Sequence, residues 1–408
     1  SAGDVAGITC RNELGCGAGQ GSCLRVNARC CPDNAKASSL PTEGRQTEGR
    51  PIMRSPSFWY PPSTPTLRDR ALRLTMTPFS ALYTVGAAMR HRMTVPERIS
   101  VPVLCIGNFT AGGAGKTPTA IAIAQRLDAM GETLHFVSRG YGGQEVGPVH
   151  VDAERHSSTD VGDEPLLLSK HCTTWVSQDR VAGALAAERA GATVVLLDDG
   201  FQNPALHKDL SLLVVDTGAG VGNGSVIPAG PLREPIAAAF ARTHGIVALG
   251  TEPLQKDLAQ RADQAGIPVF GASLQPNANV SKNLVGEKFV AFAGIGRPEK
   301  FFSTLRDLGA KLAETLSFAD HHLFSEKDAQ DLLDLAARQN ARLITTEKDA
   351  VRLRKSVGAA VQKLCEQTKV LPVTVIFSDL PALDAFLAQH LKAARASHTY
   401  APPGTRRD

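Results

Sequence analysis

From residue 100 onward the chain alternates short apolar runs, rich in β-branched residues, with stretches of helical period. VPVLCI (101–106), TLHFVS (133–138), TVVLLD (193–198), LSLLVVD (210–216), GIVALG (245–250) and IPVFGASL (267–274) have the length and composition of buried strands. Between them, TPTAIAIAQRLDAMG and QDRVAGALAAERAG have helical length and end at glycine, as a helix C-terminus should. This alternation predicts an α/β fold built on a doubly wound, mostly parallel sheet over residues 99–285. A second series begins near residue 286. It runs through KFVAFAG, a helix from about Glu299, a helix after Ser325, ARLITT, a helix around Asp349 to Arg354, VLPVTVIF and a final helix near Pro381 to Ala394. It predicts a smaller α/β domain over 286–395, with 396–408 as a tail.

Ahead of these domains, Leu67 to Arg98 holds six arginines and two acidic residues, and Leu74 to Met89 carries no charge. Sixteen residues interrupted by Pro78 and Gly86 are short for a membrane span. Phe79, Leu82, Tyr83 and Met89 can share one helical face beside Arg90 and Arg92. Periodicity alone leaves two readings of the segment 53–98: a helix lying in a membrane interface, or one packed on its own domain.

Composition changes the picture mainly at the N-terminus. Five of the eight cysteines fall in the first 31 residues, at spacings that match no standard zinc pattern, and the stretch 1–52 lacks methionine and any periodicity. The expectation is a leader outside the fold, with the native start at Met53 and no secretory signal. The remaining cysteines are scattered, which suits a reducing compartment. With 43% hydrophobic and 21% charged residues, the 408-residue chain can bury a large core. A net charge of +4 is too small and dispersed to demand a nucleic-acid partner.

The chemistry centres on GNFTAGGAGKTPTA, Gly107 to Ala120, between a predicted strand and a predicted helix. Such a turn aims backbone N–H groups at phosphate oxygens, and the helix N-terminus adds partial positive charge. Thr110, Gly112, Gly113, Ala114 and Gly115 would form the cradle, Lys116 would reach the terminal phosphates, and Thr117 would offer its hydroxyl to Mg²⁺. Thr110 stands where the general formula has glycine. In TVVLLDDGFQN, Asp198 and Asp199 close a buried strand at the sheet edge where ligands bind, a position from which an aspartate can hold a phosphate-bridging metal. VGDEPLLL offers Asp163 and Glu164, and FADHH offers Asp320, His321 and His322. The bland readings are ordinary helix capping for the first, and surface histidines or the cap of the helix after Ser325 for the second; from chemistry alone either could supply a base for a hydroxyl nucleophile.

The ordered series GNFTAGGAGKTP, SRGYGG, VGDEP, LDDGFQN, IPAGPLREP, FAGIGRPEKFF, FADHH and TTEKDA resembles the tetraacyldisaccharide 4′-kinase family of Gram-negative bacteria, over roughly Pro56 to Leu391. Thr110 is part of that family's loop. The resemblance implies a P-loop NTPase-like fold and transfer of the ATP γ-phosphate to the 4′-hydroxyl of a tetraacylated glucosamine disaccharide 1-phosphate. It implies ATP and Mg²⁺ as cofactors, the cytoplasmic face of the inner membrane as location, and the lipid A precursor and an anionic membrane surface as partners, with no protein partner. It favours the interfacial reading of the N-terminal helix. By motif it assigns Asp163 and His321 to a catalytic dyad, Asp198, Asp199, Glu164 and Thr117 to the metal, and Arg180, Gln202 and Arg233 to phosphate or headgroup. The family commonly has histidine where this chain has Asn203, which cannot gain charge near neutral pH. A P-loop switch or carrier without a lipid acceptor is the competing reading.

Overall fold

The computed structural model describes residues 56–60, 65–354 and 358–399; the expected leader 1–52 lies outside them, as does the expected tail 396–408 apart from 396–399, which continue the last helix. The expected parallel sheet is present. It contains β1 (Val103–Gly107), β2 (Leu134–Ser138), β3 (Val149–His150), β4 (Thr174–Val176), β5 (Val194–Asp198), β6 (Leu210–Asp216), β7 (Gly245–Leu249) and β8 (Val269–Pro276). Four more strands, β9 (Lys288–Ala293), β10 (Lys311–Ser317), β11 (Arg342–Thr346) and β12 (Thr368–Leu371), form a smaller, wholly parallel sheet in the order β10-β9-β11-β12.

The last strand, β13 (Val373–Phe377), corrects the expected boundary of the smaller domain. It pairs antiparallel with β8, giving the large sheet the order β13-β8-β7-β6-β1-β5-β2-β4-β3. VLPVTVIF is therefore two strands in two sheets. Pro372 has no N–H for a ladder, and the chain changes sheets there. The final helix Leu380–Thr399 follows β13 back, burying Leu383, Leu387 and Leu391 in the same core cluster as Ile123 and Leu127. Arg126 and Asp384 close that contact with a two-pronged ion pair, Nη2 to Oδ2 being 2.7 Å. The smaller lobe is thus an insertion of about residues 286–371 into the larger one.

β1, β5 and β6 sit side by side at the centre, buried on both faces, which is why their sequences are continuous apolar runs. Their carboxyl ends deliver the Gly107 turn, Asp198 and Asp216 to one rim of the sheet.

The N-terminal helix Leu67–Met93 starts with a capping box between Thr66 and Asp69. Ser80 is its single buried residue; it donates to the Val226 carbonyl at 2.8 Å and accepts from Ala229 N at 3.0 Å. Leu67, Leu74, Phe79, Leu82, Val85, Met89 and Met93 are all exposed. Among the described residues, no helix is long and apolar enough to cross a membrane.

Candidate active site

β1 runs into the glycine-rich turn, and the helix Lys116–Ala129 starts at its end. Gly115 has φ +81°, and a Cβ there would lie 2.3 Å from Leu249 Cδ2, so only glycine fits at this helix N-cap. Lys116 Nζ lies 3.3 Å from Asn108 Oδ1 and 3.5 Å from Asp199 Oδ2, and Thr117 is buried one residue on. The segment 226–235 braces the turn from outside: Ala111 N donates to Pro231 O and Arg233 N to Phe109 O, both at 2.7 Å. That brace aims the Arg233 guanidinium inward, where Nη1 is 2.8 Å from Asp199 Oδ1 and 3.3 Å from Gln202 Oε1. Gln202 in turn donates to Asn108 O at 2.9 Å and to Glu234 Oε1 at 3.1 Å.

The two adjacent aspartates differ sharply. Burial would raise both, but Lys116 and Arg233 more than offset this at Asp199 and hold its carboxyl below the usual range. Asp198 is pushed up to about 8 by burial and by the charges of Glu164 and Asp199. Neither of its carboxylate oxygens has a hydrogen-bond partner in the protein. A buried, unpartnered carboxylate beside a phosphate cradle fits a divalent cation. No group of three or more His, Cys, Asp or Glu among the described residues could hold a metal by itself. A cation here would draw its other oxygens from Thr117, phosphate and water, as Mg²⁺ in nucleotide sites does.

The smaller lobe completes the site from across the cleft. The FAGIG turn brings Gly296 so close that a Cβ there would lie 3.2 Å from Gly113 N of the glycine-rich turn. His321 Nδ1 lies 3.2 Å from Asp163 Oδ1, with its side chain 28% exposed and Asp163's 4%. His321 sits at φ +59° and Asp199 at φ +55°, strained conformations that surrounding contacts must maintain. Asp163 opens the helix Asp163–Leu168 after Gly162, where a φ of +89° and a Cβ that would lie 2.7 Å from Tyr141 O exclude a side chain. Burial would raise the Asp163 carboxyl, but His321, Lys348 and Arg352 together hold it well below the usual range.

His322 turns the other way, with Nε2 3.1 Å from Asp328 Oδ2 at the start of the helix after Ser325. The pair is thereby resolved into one histidine facing the cleft and one bonded to the capping-box aspartate of a helix. Glu164, expected at the metal, is held by Lys348 at 2.8 Å. Arg180 is buried with Nη1 on Ser177 O at 2.7 Å, behind Asp198 and Asp199, whose charges it feels. It is placed to add positive potential there and has no face toward a bulky headgroup. Asn203 stabilises a turn, its Oδ1 accepting from Ala205 N at 2.8 Å.

Four side chains at the site escaped the sequence reading: Asn108, Tyr141, Lys348 and Arg352. Tyr141 packs 5.2 Å from the His321 ring, centroid to centroid. Lys348 and Arg352 carried the clearest available signal, a spacing of four that puts both cations on one helical face.

A family model described as tetraacyldisaccharide-1-P 4′-kinase matches residues 72–392. A tetraacyldisaccharide 4′-kinase of Parvibaculum lavamentivorans is 49% identical, covering 84% of this chain and 99% of that protein. One of Rhodospirillum rubrum is 46% identical, covering 82% and 97%. A crystal structure of LpxK from Aquifex aeolicus in complex with ATP superposes with a TM-score of 0.61 at 26% identity, covering 78% of this chain and 99% of that one. With the cradle, the paired aspartates and the cross-cleft Asp163–His321 contact all in place, this chain belongs to the tetraacyldisaccharide 4′-kinase family.

Proposed function

We propose that the protein transfers the γ-phosphate of ATP to the 4′-hydroxyl of a tetraacylated glucosamine disaccharide 1-phosphate in lipid A biosynthesis, using both lobes as one site. The observation that carries this reading is the Asp163–His321 pair, formed across the same cleft that holds Lys116 and Asp198. The turn's N–H groups and Lys116 would bind the β and γ phosphates. Thr117 and Asp198 would hold Mg²⁺, which neutralises charge on the phosphates when bound. Arg233, steered by Gln202, stands where it can exchange Asp199 for a phosphate oxygen.

The hydrogen-bond geometry supports a division of labour within the dyad. With Nδ1 of His321 facing Asp163, that nitrogen would carry the proton, and Nε2, 3.9 Å from Asp320 Oδ1, would be left to act as the base. Asp163, held as a carboxylate and saturated with donors, is a poor proton acceptor near neutral pH and instead orients the imidazole. The 4′-hydroxyl proton passes to Nε2 as its oxygen attacks the γ-phosphorus, and ADP leaves. Contact between the lobes excludes water, which would otherwise take the phosphate.

The acceptor's acyl chains keep it in a bilayer, so the enzyme must work at the surface. The exposed apolar side chains of Leu67–Met93, flanked by Arg68, Arg70, Arg73, Arg90 and Arg92, suit an interfacial helix on an anionic leaflet, here the cytoplasmic face of the inner membrane. Incubation with labelled ATP and the acceptor in anionic vesicles tests the assignment. Label in the lipid supports it; free phosphate alone indicates a nucleotide switch, and the absence of both products contradicts the assignment.

A further inference from the structure

The helix Glu347–Leu353 of the smaller lobe packs on the helix Asp163–Leu168 of the larger, and its two cations meet two consecutive carboxylates. Lys348 takes Glu164; Arg352 takes Asp163, its Nε 2.9 Å from Oδ2 and its Nη2 closing on the same oxygen. Behind that contact the guanidinium is anchored in the smaller lobe, with Nη1 on Gly294 O and, at 2.7 Å, on Asp349 Oδ1. Asp349 is itself fixed by Gly294 N and by the Thr346 hydroxyl at 2.7 Å. The side chains of Arg352 and Asp349 are 1% and 0% exposed.

Donors therefore fill the whole Asp163 carboxylate: Arg352 on Oδ2, His321 and Glu164 N on Oδ1. The terminal torsion of an aspartate is otherwise broad, so these donors decide where Oδ1 points. A planar guanidinium can span three acceptors at fixed angles, which a single ammonium cannot. We propose that Arg352 is a positioning residue for phosphoryl transfer, locking the Asp163 carboxylate in the orientation that aims His321 at the acceptor hydroxyl. It touches neither substrate. The inference rests on the dyad reading above.

The test compares Arg352→Ala, Arg352→Lys and Asp163→Asn with wild type for kcat, both KM values and melting temperature, using ATP and the disaccharide acceptor in vesicles. Both Arg352 variants are expected to lose about 100-fold in kcat, the order of effect of a small misplacement of a reacting group, with both KM values near wild type. Guanidinium chloride at low millimolar concentration should restore part of the Arg352→Ala rate and none of the Arg352→Lys rate. Wild-type kcat in a folded Arg352→Lys protein, a loss confined to KM for ATP, or failure of both Arg352 variants to fold overturns the proposal. If Asp163→Asn keeps its activity, the dyad reading itself fails; if Asp163→Asn is inactive while the Arg352 variants are not, only the positioning role fails.

Discussion

Oδ1 of Asp163 and Nδ1 of His321 lie 3.2 Å apart although 158 positions and a lobe boundary separate them in the chain. Two residues that act as one unit lose their effect together. Asp163→Asn and His321→Ala are each expected to lower kcat by about 100- to 10,000-fold with KM for ATP little changed, and the double variant should fall little further. Steady-state kinetics of the three proteins check this. Multiplicative losses would show two independent roles.

Asp198 and Lys116 should separate metal from phosphate. Asp198→Asn removes the unpartnered carboxylate, so ATP affinity should drop when Mg²⁺ is present and change little in EDTA, whereas Lys116→Ala should weaken binding in both. Calorimetric titrations read the difference. The metal-free Asp198→Asn protein should also melt higher than wild type near neutral pH, because the wild-type carboxyl, pushed up to about 8, must take up a proton on folding and an amide need not.

Ser80 is the seam between the N-terminal helix and the segment that carries Arg233. Ser80→Ala nearly keeps the volume but leaves Ala229 N, in a buried residue, without its acceptor, at a cost of about 1–3 kcal/mol. The expected outcome is a lower melting temperature and a higher KM for the acceptor. By contrast, Leu82→Glu with Met89→Glu should leave melting unchanged and reduce vesicle binding in flotation assays, since both side chains are exposed.

His91 gives a pH signature. It sits near Arg242, and burial together with Arg242, Lys208 and Arg90 pushes it down to about 4 from 6.5. A histidine lowered on folding binds its proton more readily once unfolded, so its contribution is complete above about 6.5 and is lost as the pH falls toward about 4. The stability advantage of wild type over His91→Gln should shrink across that window in thermal melts. A constant gap would place the sensitivity elsewhere.

The large sheet was legible because its central strands are buried on both faces and read as unbroken apolar runs. The return of β13 was not, since nothing in VLPVTVIF except Pro372 distinguishes one strand from two in different sheets. The placement of Lys116, Thr117 and Asp198 at strand and helix ends followed from local spacing and strand position. Arg352 did not, because its role depends on a helix of the other lobe packing on Asp163. The same dependence separates His321 from His322: in sequence the two are neighbours, and only tertiary contacts give one the cleft and the other Asp328. Glu164 shows a related case, an acid expected at the metal whose contact with a lysine 184 residues away the sequence did not announce.

The central claim is the position at which phosphate arrives. Phosphorus NMR and mass spectrometry of the lipid recovered after incubation with Mg²⁺–ATP read it directly. A new monoester at the 4′-carbon, absent with Lys116→Ala and scarce with Asp163→Asn, is the predicted result. Phosphate released only to water, or added to the existing 1-phosphate, would contradict it.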